Sequence, residues 1–340
     1  MKKLLKHISP LAPDDSGACS VLYELGGIVV ICDAGGCAGN VCGFDEPRWF
    51  MKKSALFSAG LRDMDAILGR DDRLVQKLAM AARQINARFT AVVGTPVPAV
   101  IATDYKALKK MAQKKTELPC ITVETTGTHL YDRGEEAAYL ALFEEFAKEK
   151  KPVKKGKVGV IGATPLNTGL SKADKIIEEL KKKYNDVVCF GMDSGLDEII
   201  NVSECEKIIV ISNSGIAAAE YLKEKFGIEY EFDFPCIPQN TLEKATELNG
   251  KKVLIIHQQI AANALRDKIN GCKVDCASWF DINKKFAAEN DIHIKNEDDL
   301  TEIVDNYDVI IGDIAFKKII RTFKGEFIDF PHFAVSGRML

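Results

Sequence analysis

Apolar runs of five to seven residues recur along the whole chain, among them GGIVVICD, FTAVVGT, LPCITVET, KVGVIGA, KIIVISN, KKVLIIH and DVIIGD. Each stops at a glycine or polar residue, and stretches of helical period follow, as in DDRLVQKLAMAARQI, DYKALKKMAQKKT, EEAAYLALFEEFAKEK and IAAAEYLKEKFG. Runs that are continuously apolar rather than alternating are strands buried on both faces, which is the signature of parallel sheets flanked by helices. The pattern therefore predicts an α/β protein of three consecutive Rossmann-like, doubly wound parallel-sheet domains around a central cleft. The charged, proline-bearing KEKKPVKKGK (148–157) reads as a linker, and LNG precedes KKVLIIH. The expected domains are 1–150, 151–246 and 247–340.

Composition narrows the function. Of 340 residues, 46% are hydrophobic and 28% charged, and 46 lysines and arginines nearly balance 49 acids. That balance points away from nucleic acid as a partner. No run of about 18 uninterrupted apolar residues exists, and MKKLLKHISPLAPDDSG lacks an apolar signal region and a cleavage site. A cytoplasmic protein without membrane contact is expected. In that compartment ten cysteines read as core thiols, metal ligands or nucleophiles, not disulfides.

In doubly wound sheets ligands bind beyond the carboxyl ends of the strands, so the loops after the apolar runs carry the information. After the first come Asp33, two glycines, Cys37 and Cys42. Glycines let the backbone turn sharply and leave the Cys37 sulfur uncrowded, as a bulky thiolate-held iron–sulfur cluster requires. The same residues suit a plain strand-to-helix turn, and one C-x4-C pair is no zinc signature. Cys19, near the start of a helix in SGACSVLYEL, either faces this loop or is a buried structural thiol. Cys32, Cys120, Cys189, Cys236, Cys272 and Cys276 sit in or beside apolar runs and read as packing.

Later loops are rich in hydroxyls. Thr126 and His129 lie in ETTGTH, Thr164 and Asn167 in GATPLNTG, and Ser212 follows KIIVI. GATPLNTG has neither the GK[ST] ending nor the G-x-G-x-x-G order of nucleotide loops. A polar cleft lined by 125–129, 164–169, 212–215 and 312–313 is expected. The charges of LRDMDAILGRDDRL, Arg62, Asp63, Asp65 and 69–72, read as a solvated helix start serving the first domain's fold or a partner contact.

Beyond these readings, GACSVLYELGGIVVICDAGGCAG resembles the nitrogenase component 1 family, where a Gly-Ala pair precedes a strand and a glycine-cysteine turn. SALFSAGLRDMDAILGRDDRL, GTPVPAVIATD, TPLNTG, GLDEI, AEYLKEKFGIEY and the closing DVIIGD and FIDFPHFAVSGR continue the likeness in order. The family includes the nitrogenases, their cofactor-assembly scaffolds, the dark protochlorophyllide reductase and the reductive cyclase of nickel tetrapyrrole biosynthesis. The resemblance implies an iron–sulfur oxidoreductase component that receives electrons from a separate ATP-dependent iron–sulfur reductase and reduces a small molecule, which is unknown and tetrapyrrole-like in one branch.

The family's central cluster cysteine falls on Cys37. Its first falls near Pro13 and its third at Thr95 or Pro96, where no thiol stands. Its cofactor thiolate falls near Ile211 or Ser212, so nitrogen fixation is not expected, and His332 lies in a differently spaced segment from the family's histidine ligand. The resemblance thus implies a [4Fe-4S] cluster shared across a homodimer, Cys37 joined by Cys19 or Cys42; Asp14 and Asp15 read first as solvated amino-terminal acids, with oxygen ligation as the alternative. Thr126, His129, Thr164, Asn167, Ser212 and His332 are carried as cofactor-binding candidates. The alternatives are a cluster or cofactor carrier without turnover and a small-molecule binding protein that has lost the metal.

Overall fold

The protein is described by a computed structural model over residues 5–340. Three parallel sheets are built successively along the chain. The first contains β1 (Ile28–Ile31), β2 (Ala55–Ser58), β3 (Thr90–Val93) and β4 (Cys120–Val123), in the order β2-β1-β3-β4. The second contains β5 (Lys154–Ile161), β6 (Asp186–Cys189), β7 (Cys205–Val210) and β8 (Glu229–Phe232), in the order β6-β5-β7-β8. In the third, β9 (Lys252–Ile256), β10 (Lys273–Ser278), β11 (Ile292–His293), β12 (Val309–Gly312) and β13 (Glu326–Asp329) run β11-β10-β9-β12-β13. Strands β1, β3 and β12 are buried at every position, which is why their sequences are continuously apolar.

The three orders share one topology. In each sheet the chain starts near the middle, steps outward to one side, and then crosses to the other, leaving a switch-point crevice between β1 and β3, β5 and β7, and β9 and β12. These crevices are where the strand-end loops diverge and a ligand can enter.

Some segments depart from expectation. KEKKPVKKGK is linker only as far as Val153. β5 begins at Lys154, which pairs with Cys205 before a register shift, and its first residues are exposed, so lysines are tolerated there. β2, β11 and β13 lack a strong apolar run. FKKIIRT is not an α-helix: a 3-10 turn spans Ile314–Lys318, and Phe316 and Ile319 face inward three residues apart. The charges of LRDMDAILGRDDRL stay local, with Asp65 accepting Arg62 N at 3.2 Å and Arg73 Nη1 at 2.6 Å.

Helix α1 (Asp14–Leu22) has all nine residues buried, although it opens with two aspartates and a serine. Two glycines explain this. A Cβ on Gly17 would lie 2.0 Å from the Tyr131 carbonyl oxygen. One on Gly134 would lie 1.7 Å from that of Asp14. The N-terminal turns of α1 and of a second helix, Tyr131–Phe146, therefore pack backbone on backbone, at a separation no other residue permits. Beside this crossing the Arg48 guanidinium is fully buried, bonded to Glu46 (2.6 Å), Glu24 (2.8 Å), Ser20 O (2.6 Å) and, across to the second sheet's loops, Gly191 O (2.7 Å).

A strap, residues 5–13, crosses to the third sheet's domain. The Glu297 carboxylate accepts the N–H groups of Lys6, His7 and Ile8 at 2.8–3.1 Å, and Ala12 N donates to Ala334 O at 3.2 Å.

The helix crossing is directly testable. Gly134→Ala must part the two helices and is expected to cost about 3 kcal/mol, the upper range for overpacking, whereas Gly36→Ala, with open space around its Cβ, should change stability by less than about 0.5 kcal/mol. Urea unfolding measures both, and a small effect of Gly134→Ala would show that the crossing can relax.

Candidate functional site

The first crevice is shaped by the loop after β1. Gly35 takes φ 122°, a conformation open to glycine, and starts the short helix α2 (Gly36–Asn40). A π-helical turn, Val41–Asp45, follows and is closed by Glu46 N donating to Val41 O at 2.9 Å. Such turns displace side chains from helical positions and recur at functional sites. Buried Asp33 fixes the loop: one carboxylate oxygen accepts Ala38 N at 2.8 Å and the other Ser58 Oγ at 2.5 Å.

Cys37 is half-buried and its thiol faces the Asp15 carboxyl and the Thr95 hydroxyl. Burial, reinforced by the carboxylates of Asp15 and Asp33, pushes the thiol up to about 11. Asp15 is itself buried, and its Oδ1 has no hydrogen-bond partner. Burial first, and neighbouring Asp14 second, raise it to about 6. Asp14 is instead satisfied: it accepts Thr126 N at 2.9 Å and Gly127 N at 2.6 Å, with His129 Nδ1 at 3.5 Å. Thr126 and His129 thus belong to a loop clamped on the start of α1, and the His129 side chain is largely exposed.

The other candidate thiols are placed differently. Cys19 is fully enclosed in α1, within the main hydrophobic core, and burial raises its thiol strongly. Cys42 is half-buried, packs against the same core and is raised by burial and by Glu46. The structure brings Cys37 to Asp15 and Thr95 and does not bring Cys19 to that surface. Among the described residues no group of three or more His, Cys, Asp and Glu side chains is arranged to hold a single metal ion. Cys32, Cys120, Cys189, Cys236 and Cys276 are buried and Cys272 half-buried, in keeping with packing.

The second and third crevices are filled by the protein itself. Into the second reaches Glu135, fully buried, accepting Thr164 Oγ1 (2.5 Å), Ser214 Oγ (2.7 Å) and Asn167 Nδ2 (2.7 Å). Ser214 Oγ lies 3.0 Å from Ser212 Oγ. Tyr131 OH bridges Asn167 Oδ1 (2.7 Å) and His332 Nε2 (3.0 Å). In the third crevice His332 stacks on His257 with ring centroids 4.2 Å apart, and Asp313 accepts His332 N (2.9 Å) and Ser336 Oγ (2.7 Å). Burial pushes His257 down to about 4 and His332 well below the usual histidine range.

Of the cofactor-binding candidates, then, Thr164, Asn167, Ser212 and His332 converge at strand ends, but they are enclosed and do not line open space. Sequence patterns could not reveal this, because the plug, Glu135, comes from a helix of another domain and reads as one more acid in EEAAYLALFEEF. Open volume lies to one side. A cavity of about 860 Å³ runs between the strap, the π turn and a short helix, Phe333–Ser336, with Gly127 and Lys318 on its walls.

This architecture agrees with comparisons to known proteins. Residues 16–249 match the family described as nitrogenase component 1 type oxidoreductase, and the chain belongs to that family. It is 27% identical over 178 residues to the nitrogenase iron-molybdenum cofactor biosynthesis protein NifE of Clostridium pasteurianum, a match covering 51% of this chain and 38% of that protein. The chain therefore spans less than two thirds of that relative's length. Its fold is similar to that of nitrogenase Cp1 at pH 6.5, with a TM-score of 0.74, 10% identity, and coverage of 97% of this chain and 87% of the other. A second structure, nitrogenase Cp1 at pH 5, matches with a TM-score of 0.68, 14% identity, and coverage of 96% and 85%. Among the described residues no helix is long and apolar enough to cross a membrane.

The Glu135 plug carries a pH signature. Burial holds its carboxyl neutral up to about 8, against an ordinary value of 4.5. Between those values the folded chain keeps a proton that the unfolded chain has released, so its contribution to stability declines as pH rises from about 4.5 to about 8 and is flat outside that window. Glu135→Gln is neutral at every pH and removes the decline. Wild-type stability relative to this variant, from urea unfolding at pH 5 and pH 8, should fall by a few kcal/mol, on the order set by the shift. Equal slopes in the two proteins would show that Glu135 does not titrate in this range.

Proposed function

We propose that this protein is an iron–sulfur oxidoreductase component that works as a homodimer. Each copy would contribute the Cys37 thiolate and the Asp15 carboxylate to one shared [4Fe-4S] site. The observation that carries this reading is the buried, unpartnered Asp15 Oδ1 beside the half-exposed Cys37 thiol at the first crevice. One thiolate and one carboxylate are half of a four-ligand set, and a two-fold axis near the loop supplies the rest. Asp15 lies beside the vacant first position of the family pattern, near Pro13, and the third falls at Thr95 or Pro96.

The surface around the loop supports a second copy. Phe44, Trp49, Phe50 and Met51 follow it directly and are 75%, 38%, 77% and 59% exposed. A cluster of this kind costs free energy in water unless covered. A cluster held by Cys37 and Asp15 would supply one-electron transfer, its electrons coming from a separate ATP-dependent iron–sulfur reductase. The 860 Å³ cavity, walled by the π turn of the same loop, is the seat proposed for the small molecule to be reduced. The match to a cofactor biosynthesis protein favours a second reading, in which the site carries a cluster or cofactor for delivery without turnover.

The test is anaerobic purification with iron and sulfide assays and mass determination in solution. A dimer with close to four irons is expected for the wild type. Cys37→Ala should lose the iron, Asp15→Ala should lose most of it, and Asp15→Cys and Cys272→Ala should retain it. Full iron in Cys37→Ala would reject the reading, and a monomer holding a complete cluster would reject the shared site. Turnover of a small molecule with a reductase separates the oxidoreductase from the carrier.

A further inference from the structure

The chemistry of the 860 Å³ cavity restricts what it can accept. Its volume lies in the range of sites for cofactor-sized organic molecules. Leu11, Phe44, Phe333 and Val335 form apolar parts of its wall, beside polar Ser9, Asn40 and Ser336. Charge enters at two points, Asp45 and Lys318. The Asp45 Oδ2 atom accepts Ser16 Oγ and Asn40 Nδ2, each at 2.6 Å, while its Oδ1 accepts no hydrogen bond among the described residues. Lys318 is exposed at the cavity wall and has no carboxylate within ion-pair distance among the described residues. The Asp45 carboxylate already accepts hydrogen bonds from the protein and the Lys318 ammonium has no carboxylate partner among the described residues, so the lysine is the charged group left for a ligand to pair with.

We propose that this cavity binds an amphipathic organic anion, its apolar body against Phe44 and Phe333 and its acid group on Lys318. The proposal rests on the reading of this cavity as the substrate seat and adds the class of molecule that seat selects. Burial of the apolar body supplies most of the attraction. The lysine adds orientation and preference for an acid over a neutral group of the same shape.

A fluorescent pair tests it: 1-pyrenebutyrate, an apolar body with a carboxylate, and 1-pyrenebutanol, its neutral counterpart. The as-purified protein should bind the acid about fivefold more tightly than the alcohol, the preference one partly exposed ion pair provides. Lys318→Met should bring the ratio to about one with alcohol binding unchanged. Ala334→Trp, which fills the cavity, should weaken both probes. Equal binding of acid and alcohol by the wild type, or an unchanged ratio in Lys318→Met, overturns the proposal. Undiminished binding in a folded Ala334→Trp also overturns it, placing the probes on the exposed surface at 44–51. Lys318 is a surface position, so its variant carries the test even if tryptophan at 334 prevents folding. Iron is assayed on the same wild-type samples: absent probe binding with iron present sinks the ligand proposal alone, and acid-selective binding with iron absent sinks the cluster reading alone.

Discussion

Everything near the site depends on the backbone contact between Gly17 and Gly134. Because neither residue has a Cβ, α1 sits against the helix Tyr131–Phe146 closely enough that the Asp14 and Tyr131 carbonyls occupy the space of side chains. This drives the amino end of α1 into the interior, carrying Asp14 and Asp15 to the mouth of the first crevice. The same contact brings Tyr131 and Glu135, one turn apart, to the second crevice and to His332. A wider crossing would withdraw acids from both places at once. Arg48 then holds α1 from its other end through Ser20 O, so the helix cannot slide along its own axis.

Three sheets of identical topology produced three crevices with different fates. In the second and third, protein groups take the position a ligand has in other doubly wound folds. A carboxyl with three donors sits in one and a histidine stack with a hydrogen-bonded aspartate in the other. Buried polar groups hydrogen-bonded to one another in this way stiffen a junction and specify one arrangement of the parts. They also remove it as a binding site. In the first crevice the chain leaves the Asp15 Oδ1 without a partner beside a half-buried thiol, Cys37. The adjoining cavity opens on that side.

Much of the fold was legible because parallel strands buried on both faces write themselves as unbroken apolar runs; β1, β3, β5, β7, β9 and β12 were all visible that way. Edge strands were not: ALFS and EFID are short and half-covered, and their pairing is decided by neighbours rather than by their own pattern. Within the candidate site, Cys37 was legible from its glycines and its place after β1. The choice between Asp14 and Asp15 was not, since it turns on which carboxylate meets the N–H groups of Thr126 and Gly127, more than a hundred residues away. The enclosure of Cys19 was equally hidden, because a helix with the weakly amphipathic sequence DDSGACSVL gives no sign that all its faces are covered.

The two adjacent aspartates divide the work in a way that electrostatics explains. Both are buried, and two neighbouring carboxylates cannot both be ionised cheaply in a low-dielectric setting. Asp14 accepts two backbone N–H groups and is thereby committed to holding the loop 125–129 on α1. Asp15 receives no comparable support for its Oδ1, and the charge on Asp14 makes its own ionisation harder still. A free carboxyl in that position is stabilised as an anion only by an electropositive group arriving from outside the chain. The thiol of Cys37, held up by the same two effects of burial and neighbouring carboxylates, has the same requirement. Two groups that need one positive centre, side by side at an exposed edge rimmed by apolar side chains, favour a site completed by a second copy over one that functions alone.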